Sequence, residues 1–383
     1  MKQYKYHFHA DFSALSYIPE DAVFFDIETT GLSRERSIIY MIGCAYIEKE
    51  ELRLVQWFND DAVSEEDLLK SFINILEHHV GPLISFNGDT FDLPFLRTHM
   101  EYHHMSYETL SSRESLDLYK VLRGYAKVFA MKTSTQKAWE EFLGIHREDI
   151  YDGGKLISVY KKYLSSKDKD LEEILLLHNR EDIRYLASIP CLLSYEQIRN
   201  GEFQVISIKE EAWQSDDIMV KSSLAFYLSL DKPLPKSFSL ESPLGYLEYQ
   251  KKDSLLKLTL SVWEGKMYHF YADYKNYYYL PSEDRAIHKS VAVYVDSAHR
   301  QKARKCNCYL PLEGVFLPCP KYRRKYNFSI KKEEEYALPL FQTSYEDKRH
   351  YLNFDDLFPG QKMSSKCILY LSQIMQAIFL ERI

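Results

Sequence analysis

Two carboxylates interrupt an apolar run near the start of this 383-residue chain. The segment AVFFDIETTGL is typical of a buried β-strand that ends in a turn, and it carries Asp26 and Glu28 two positions apart. Residues two apart in a strand point to the same side, so the two carboxylates are neighbours. Because neighbouring carboxylates repel, the pair predicts either a site for a hard divalent cation or an exposed acidic strand end without a ligand.

Two further acidic positions lie on predicted helices. In the segment FNGDTFDLPFL, Asp92 falls in the first turn of a helix, where the helix dipole favours an acid whether or not it has another role. On a long helix near residue 180, His178 and Asp182 are spaced i, i+4 and therefore share one face. That face is either part of a site or a solvated charged surface.

The order of predicted elements up to residue 200 is typical of a mixed α/β domain. Three strands come first, and the second and third form an antiparallel hairpin around Glu48 to Glu51. A surface helix, a fourth strand and then mainly helices follow. This order predicts a mixed sheet flanked by helices.

The pattern changes after residue 200, where alternating apolar segments predict a β-rich second domain. Within it, WEGKMY predicts a hairpin turn through Glu264 and Gly265. The last 21 residues, MSSKCILYLSQIMQAIFLERI, predict an amphipathic C-terminal helix that packs on one of the domains. We therefore expect two domains, residues 1–200 and residues 201–383.

The net charge of −7 conceals a difference between the halves. Residues 1–200 carry 23 basic and 33 acidic side chains, a balance of −10, whereas residues 201–383 carry 26 and 23, a balance of +3. Basic residues with interleaved aromatic residues are concentrated from His299 to Lys332, and they include Arg323 and Arg324. This stretch predicts either a surface that binds a nucleic-acid strand or a solvated basic face.

Together, the three acidic motifs resemble those of the DEDD exonuclease superfamily in order and spacing, over residues of about 20 to 197. The similarity extends to predicted bacterial RNase H-like exonuclease domain proteins whose first motif is also Asp-x-Glu-Thr-Thr-Gly. The resemblance implies an RNase H-like fold and a 3′ to 5′ exonuclease with two divalent cations, Mg²⁺ or Mn²⁺. It implies that the metal ligands are Asp26, Glu28, Asp92 and Asp182.

The resemblance also implies the roles of these ligands. Asp26 bridges both cations, Glu28 and Asp182 complete the site that activates water, and Asp92 acts through the second site. Two cations held in this way can align a nucleophile with phosphorus and stabilise the leaving oxygen.

One position departs from the superfamily pattern. Members carry a histidine five positions, or a tyrosine four positions, before the last aspartate, whereas His178 lies four positions before Asp182. Because His178 shares the helix face of Asp182, we expect it to be the general base. The alternative is that His178 supports the site from outside or lies on the helix surface.

The expected activity is hydrolysis of phosphodiester bonds at the 3′ end of single-stranded DNA. Thr29, Asn87 and Phe91 are expected to contact the strand, although Asn87 is equally typical of an Asn-Gly turn. The alternatives are an RNA exonuclease of the same chemistry and a non-catalytic nucleic-acid-binding adaptor for a helicase. Since the sequence contains no long apolar segment or signal peptide, we expect a cytoplasmic protein without a membrane partner.

Overall fold

The chain consists of two compact units, Met1–Ser194 and Tyr195–Ile383. The structure is a computed structural model that describes residues 1–11, 15–151, 153–215, 218–320 and 338–380. The predicted domains, residues 1–200 and 201–383, were also given separate roles, one as an exonuclease and one as an accessory domain. Those roles stay predictions. Among the described residues, no helix is both long enough and apolar enough to cross a membrane.

The first unit is built on a six-stranded mixed sheet with the order β1-β4-β3-β2-β5-β6. Strand β2 lies inside the sheet, antiparallel to β3 and parallel to β5. The predicted hairpin is confirmed, since β3 and β4 pair along their whole length. The strands are β1 Lys2–His9, β2 Val23–Thr29, β3 Ile39–Glu48, β4 Glu51–Phe58, β5 Leu83–Ser85 and β6 Ser115–Asp117.

Helices cover both faces of this sheet, which confirms the predicted mixed α/β fold class. Phe25 and Ile27 belong to an apolar core that also contains buried residues of α1 and α2. Met41 and Phe58 belong to a second core with buried residues of α6 and α7. The helices are α1 Glu65–His78, α2 Asp92–Tyr102, α3 Glu108–Ser111, α4 Leu118–Val128, α5 Gln136–Leu143, α6 Gly153–Ser166 and α7 Lys169–Leu186.

Strand β1 was not predicted. Its residues alternate between half-buried and exposed positions, and the half-buried ones include Tyr4, Tyr6 and Phe8. That alternation of aromatic and polar residues is the strand period, although it runs over only eight residues at the chain's start. The strand pairs antiparallel with β4 and extends the sheet by one edge.

The second unit is rich in β-structure, as predicted. It contains a five-stranded sheet, β7-β8-β11-β10-β9, and two three-stranded sheets, β12-β16-β17 and β14-β13-β15. The strands are β7 Phe203–Ser215, β8 Ile218–Leu230, β9 Phe238–Ser242, β10 Gly245–Gln250, β11 Leu255–Ser261, β12 Trp263–Phe270, β13 Tyr277–Leu280, β14 Arg285–His288, β15 Gln301–Lys302, β16 Tyr309–Cys319 and β17 His350–Asn353.

The hairpin turn predicted at WEGKMY is wrong. Glu264 and Gly265 lie inside strand β12, and Gly265 pairs with Gly314 of β16. Gly265 has a φ of 126°, a conformation that glycine adopts without steric cost. The glycine therefore gives the strand an irregular backbone and does not reverse the chain.

The predicted C-terminal helix is confirmed. The helices of the second unit are α8 Glu196–Asn200, α9 Lys289–Ala292, α10 Phe354–Leu357 and α11 Ser365–Leu380. Helix α11 packs against α8, β9 and β10, and its buried residues include Leu371, Ile374 and Ile378. Within the described residues, the helix thus completes the core of the second unit.

Candidate active site

The four predicted carboxylates are brought together by three elements around strand β2. Asp26 and Glu28 lie on β2, Asp92 is the first residue of α2, and Asp182 lies on α7, which packs across the sheet. Burial raises the pKa of Asp26 well above its usual value, and the charges of Asp92, Asp182 and Glu28 raise it further. The site therefore concentrates negative charge where solvent cannot screen it.

Asp26 is oriented from the sheet through Asn179 of α7. Asn179 Nδ2 donates to Asp26 Oδ2 at 2.9 Å, and Asn179 is fully buried. Its Oδ1 accepts from Gln56 Nε2 at 2.8 Å, so the amide orientation is fixed from β4. These bonds hold Asp26 in one direction although the carboxylates around it repel it.

Asp92 is tied to the same strand by a backbone hydrogen bond. The Ile27 N–H, between the two carboxylates of β2, donates to Asp92 Oδ1 at 3.1 Å. Burial raises the pKa of Asp92 to about 7, and the charges of Asp117 and Asp182 add to that effect. Asp117 caps α4 by accepting from Tyr119 N at 3.1 Å, so it lies beside the site with a structural role of its own.

Glu28 is buried, with an exposed fraction of 8%. Burial raises its pKa to about 7, in spite of the opposing effects of His178 and the Tyr40 hydroxyl. The Tyr40 hydroxyl donates to Glu28 Oε2 at 3.3 Å, and His178 Nε2 lies 3.5 Å from Glu28 Oε1. Glu28 thus presents one oxygen to a tyrosine and the other to the histidine.

His178 lies between this carboxylate cluster and a further acid, Asp149. Its Nε2 is 3.2 Å from Asp182 Oδ2, and its Nδ1 is 2.7 Å from Asp149 Oδ2. Burial lowers the pKa of His178, but Asp182, Glu28 and Asp149 outweigh it, and the pKa is raised above 6.5. The expected face shared by His178 and Asp182 is thus directed at Glu28 and is not a solvated surface.

Asp149 is a site residue that the sequence motifs did not reveal. Lys137 Nζ donates to Asp149 Oδ2 at 2.8 Å, and the Tyr151 N–H donates to Oδ1 at 2.9 Å. Burial alone would raise the pKa of Asp149, but Lys137, the Tyr151 N–H and His178 together lower it. Asp149 is therefore an ionised acceptor for the Nδ1–H of His178.

Asp182 is held from its other side by Arg147, also unrecognised in the sequence. Arg147 Nη1 donates to Asp182 Oδ1 at 2.5 Å, and its Nε donates to Glu140 Oε2 at 2.5 Å. Gln136 Nε2 donates to the main-chain carbonyl of Asp182 at 2.7 Å. Asp182 consequently offers its second oxygen, Oδ2, to the centre of the site.

Glu181 explains how Arg147 and Asp149 reach the site. Its two carboxylate oxygens accept the N–H groups of Glu148 and Asp149, at 3.1 Å and 2.9 Å. The segment around residues 147–149 is thereby fixed to helix α7 beside His178. Glu181 belongs to the motif His-Asn-Arg-Glu-Asp, so the sequence drew attention to it. The spacing within the motif could not show that Glu181 binds residues 147–149.

The donor set suits a hard or borderline divalent cation. Ligand atoms of Glu28, His178 and Asp182 lie within 4.8 Å of one another, and Asp26 and Asp92 raise the local negative charge further. Oxygen-rich sites of this kind bind Mg²⁺ and Mn²⁺, and a nitrogen ligand is accepted by Mn²⁺ and later first-row ions. The residues therefore fit the cations that the motifs implied.

Most of the first unit also matches a known family. Residues 23–193 match the RNase_H superfamily. The N-terminal unit is an RNase H-like domain. The match confirms the recognition of this fold from the three acidic motifs and includes all four predicted ligands of the RNase H-like domain.

Two curated relatives match parts of this chain. YprB, an uncharacterised protein of Bacillus subtilis, is 26% identical over 181 residues, which cover 46% of this chain and 43% of that protein. A DNA polymerase of Thermococcus aggregans is 38% identical over 82 residues, which cover 19% of this chain and 4% of the polymerase. The chain thus spans less than half the length of these relatives.

Solved structures that match this chain in backbone structure include a DNA polymerase and an exonuclease. The family B DNA polymerase of Pyrobaculum calidifontis has a TM-score of 0.38 and 13% identity, over 67% of this chain and 35% of the polymerase. E. coli exonuclease I in complex with a dT13 oligonucleotide has a TM-score of 0.28 and 12% identity, over 54% of each chain.

The residues expected to contact a strand have local roles in the RNase H-like domain. The Thr29 hydroxyl donates to the Gly31 carbonyl at 2.7 Å, and Thr29 is buried. Asn87 has a φ of 69° in the turn before α2, as its alternative interpretation required. Phe91 is half-buried, and the centre of its ring lies 4.8 Å from the centre of the Phe95 ring. Their contacts with nucleic acid stay predictions.

The second unit contains the basic stretch that was predicted to bind a nucleic-acid strand. Arg323 and Arg324 lie outside the described residues. The described part of the basic stretch contains Arg300, whose guanidinium lies 5.0 Å from the ring centre of Tyr278. It also contains Lys305, whose Nζ lies 6.0 Å from the ring centre of Tyr274.

Proposed function

We propose that this protein is a metal-dependent 3′ to 5′ exonuclease that hydrolyses phosphodiester bonds at the end of a single-stranded DNA. The observation that carries the proposal is the convergence of four carboxylates, where burial first and then the charges of the other three raise the pKa of Asp26. A fold that keeps such a cluster in a buried position needs cations to neutralise it. An RNase H-like domain with this donor set is suited to nucleic-acid hydrolysis.

The chain's own residues would hold and orient the reacting groups. Asp26, Glu28, Asp92 and Asp182 would bind two divalent cations. Bound divalent cations supply Lewis acidity at the scissile phosphate and stabilise the leaving oxygen. Asn179 would orient Asp26, and Arg147 would direct Asp182 Oδ2 towards the site by engaging its other oxygen.

His178 would act at the centre of the site through Nε2. Because Nδ1 is engaged by Asp149 at 2.7 Å, the proton of the neutral ring lies on Nδ1 and the lone pair on Nε2. Nε2 can then accept a proton from the attacking water, as expected of a general base, or bind a cation. Asp149 would fix the ring in either case.

The proposal is tested with one single-stranded DNA labelled at the 5′ end and, separately, at the 3′ end. Wild type with Mg²⁺ or Mn²⁺ should convert the 5′-labelled strand into a descending ladder and release the 3′ label as a mononucleotide. EDTA or Asp26→Asn should abolish both, whereas Asp67→Asn, which removes an exposed charge from α1, should not.

A DNA strand that stays intact with every metal, while an RNA strand of the same sequence is shortened, would move the proposal to RNA. Strands that stay intact in both forms but bind the protein equally well with and without EDTA would contradict an exonuclease and support a non-catalytic adaptor.

We further propose that the second unit binds the strand. The support is the basic and aromatic surface near β13 and β15, where Arg300 and Lys305 lie over tyrosine rings. Cations can follow phosphates there while the half-buried tyrosine rings contact bases. Lys302→Gln combined with Lys305→Gln should weaken binding and reduce the slope of log affinity against log salt by about two. Lys252→Gln, an exposed lysine of the same unit, is the control.

A further inference from the structure

His178 lies as far from two of the carboxylates as the donors around a single cation lie from one another. Its Nε2 lies 3.2 Å from Asp182 Oδ2 and 3.5 Å from Glu28 Oε1. Donors that share one first-row ion lie roughly 3 to 4.5 Å apart, because each lies roughly 2.0 to 2.2 Å from the ion. The ligand atoms of all three residues lie within 4.8 Å of one another, and the two distances from Nε2 fall inside this range.

The other ring nitrogen has the support that metal-binding histidines have. His178 Nδ1 lies 2.7 Å from Asp149 Oδ2, and Asp149 is itself buried and bonded to Lys137 and to the Tyr151 N–H. A carboxylate on Nδ1 fixes the tautomer and ring orientation and makes Nε2 a stronger ligand. This outer carboxylate is the feature that a histidine on a helix surface would not need.

The surroundings of Nε2 favour a ligand over a general base. The His178 side chain has an exposed fraction of 7%, and Nε2 is directed at Glu28 and Asp182, both of which are expected ligands. A general base must reach a water that also reaches the phosphate. A nitrogen enclosed between two metal-binding carboxylates is instead placed to share their cation.

We propose that His178 binds a cation directly through Nε2, together with Glu28 and Asp182, and that Asp149 is the positioning residue for this ligand. The inference rests on the proposed function and names its metal more closely. Imidazole suits later first-row ions such as Zn²⁺ or Ni²⁺ best, binds Mn²⁺ less tightly, and is a poor ligand for Mg²⁺. The site should therefore prefer an imidazole-accepting first-row ion to Mg²⁺.

The test measures the metal and not the reaction. Metal-free full-length protein is titrated with Mn²⁺ and, separately, with Mg²⁺ by calorimetry, and bound Mn²⁺ is examined by electron spin echo spectroscopy for coupling to ¹⁴N. Wild type should show nitrogen coupling. His178→Gln should abolish it and weaken Mn²⁺ binding by about ten- to hundredfold, with little change for Mg²⁺. The exposed His78→Gln is the matched control and should leave both unchanged.

Asp149→Asn separates positioning from simple loss of structure. It should keep the nitrogen coupling and weaken Mn²⁺ binding by about tenfold, because the ring loses its ionised partner but not its place. Should His178→Gln fail to fold, the coupling in wild type and the effect of Asp149→Asn decide the question.

Bound Mn²⁺ without nitrogen coupling, with an affinity that His178→Gln does not change, would overturn the inference and leave the proposed function in place. Mn²⁺ binding that is absent from wild type, or that Asp26→Asn does not weaken, would overturn the proposed function as well.

Discussion

Three of the four candidate ligands have a raised pKa, and the physical cause is the same for each. Burial raises the pKa of Asp26, Glu28 and Asp92, and the charge of Asp182 raises each of them further. In the metal-free protein, ionisation of these groups therefore opposes folding. Function is supported here at the expense of stability, and bound cations should restore that stability.

Asp92→Asn should consequently stabilise the metal-free protein. Because the folded-state pKa of Asp92 is raised from 3.8 to about 7, the free energy of unfolding falls as the pH rises between these two values and stays lowered above pH 7. Removing the charge while keeping the bond from the Ile27 N–H should add on the order of 1 to 3 kcal/mol at pH 8. The gain should disappear below pH 4, where wild type is protonated in both states.

Thermal unfolding in EDTA, followed by circular dichroism, measures this effect. In excess Mn²⁺ the order should reverse, since the ion stabilises only the protein that binds it. An Asp92→Asn protein that is less stable than wild type in EDTA at pH 8 would contradict the account of charge repulsion.

The candidate ligands could be predicted from the sequence because each lies in a short local motif, whereas Arg147 and Asp149 were missed. The spacing of Asp26 and Glu28 on a strand and of His178 and Asp182 on a helix determines a shared direction before any tertiary contact forms. Asp149 reaches His178 only because Glu181 fixes the intervening backbone to α7. The helix and strand periods in the sequence do not predict a contact between residues as far apart in the chain as Asp149 and His178.

Helix α7 is the element on which the site's geometry depends. It packs across the sheet at Gly43 of β3, the residue that pairs with Asp26 of β2. A Cβ on Gly43 would lie 1.9 Å from Ile183 Cδ1 and 2.3 Å from Asn179 Oδ1. The helix can therefore approach the sheet beside Asp26 only because Gly43 lacks a side chain.

Gly43→Ala should displace α7 from the sheet and misalign Asn179 and Asp182 together. We expect a loss of about 2 kcal/mol in the free energy of unfolding, from overpacking of a buried contact. Mn²⁺ affinity should fall as well, since the ligands of α7 move relative to β2. Urea unfolding and calorimetry measure the two effects.

Gly153→Ala provides the control, because a Cβ on Gly153 meets nothing within 4 Å. It should leave both quantities unchanged. Equal stability of Gly43→Ala and wild type would show that α7 can shift without cost, against this account.

The helix itself was predicted from its apolar period, but its close approach at Gly43 was not. A glycine inside a strand pattern indicates a close backbone approach without saying what approaches. The same uncertainty explains the error at Gly265, where a glycine in a continuous strand was interpreted as a turn.

The whole chain combines two units with different charge and different architecture. The change of pattern near residue 200 predicted the β-rich second unit because strand and helix periods differ over many residues. The order of the strands in its three sheets could not be predicted from the sequence, because strands such as β12, β16 and β17 pair although they are far apart in the chain. Each unit nonetheless has apolar core residues of its own.

A fragment of residues 1–194, the first compact unit, should therefore fold and bind Mn²⁺ with the affinity of the whole chain. It should bind single-stranded DNA more weakly, with a shallower dependence on salt, because the basic surface of the second unit is removed. Calorimetry and fluorescence anisotropy at several salt concentrations test both statements. A fragment that folds and binds DNA as tightly as the whole chain would refute a binding role for the second unit.

The most direct test of the metal-dependent exonuclease is to identify its products by mass spectrometry. An unlabelled single-stranded DNA is incubated with metal-stripped protein to which Mn²⁺ has been restored. The account predicts nucleoside 5′-monophosphates and strands shortened from the 3′ end, with neither product formed by Asp26→Asn or in EDTA. Internal fragments, or an intact strand under every condition, would contradict it.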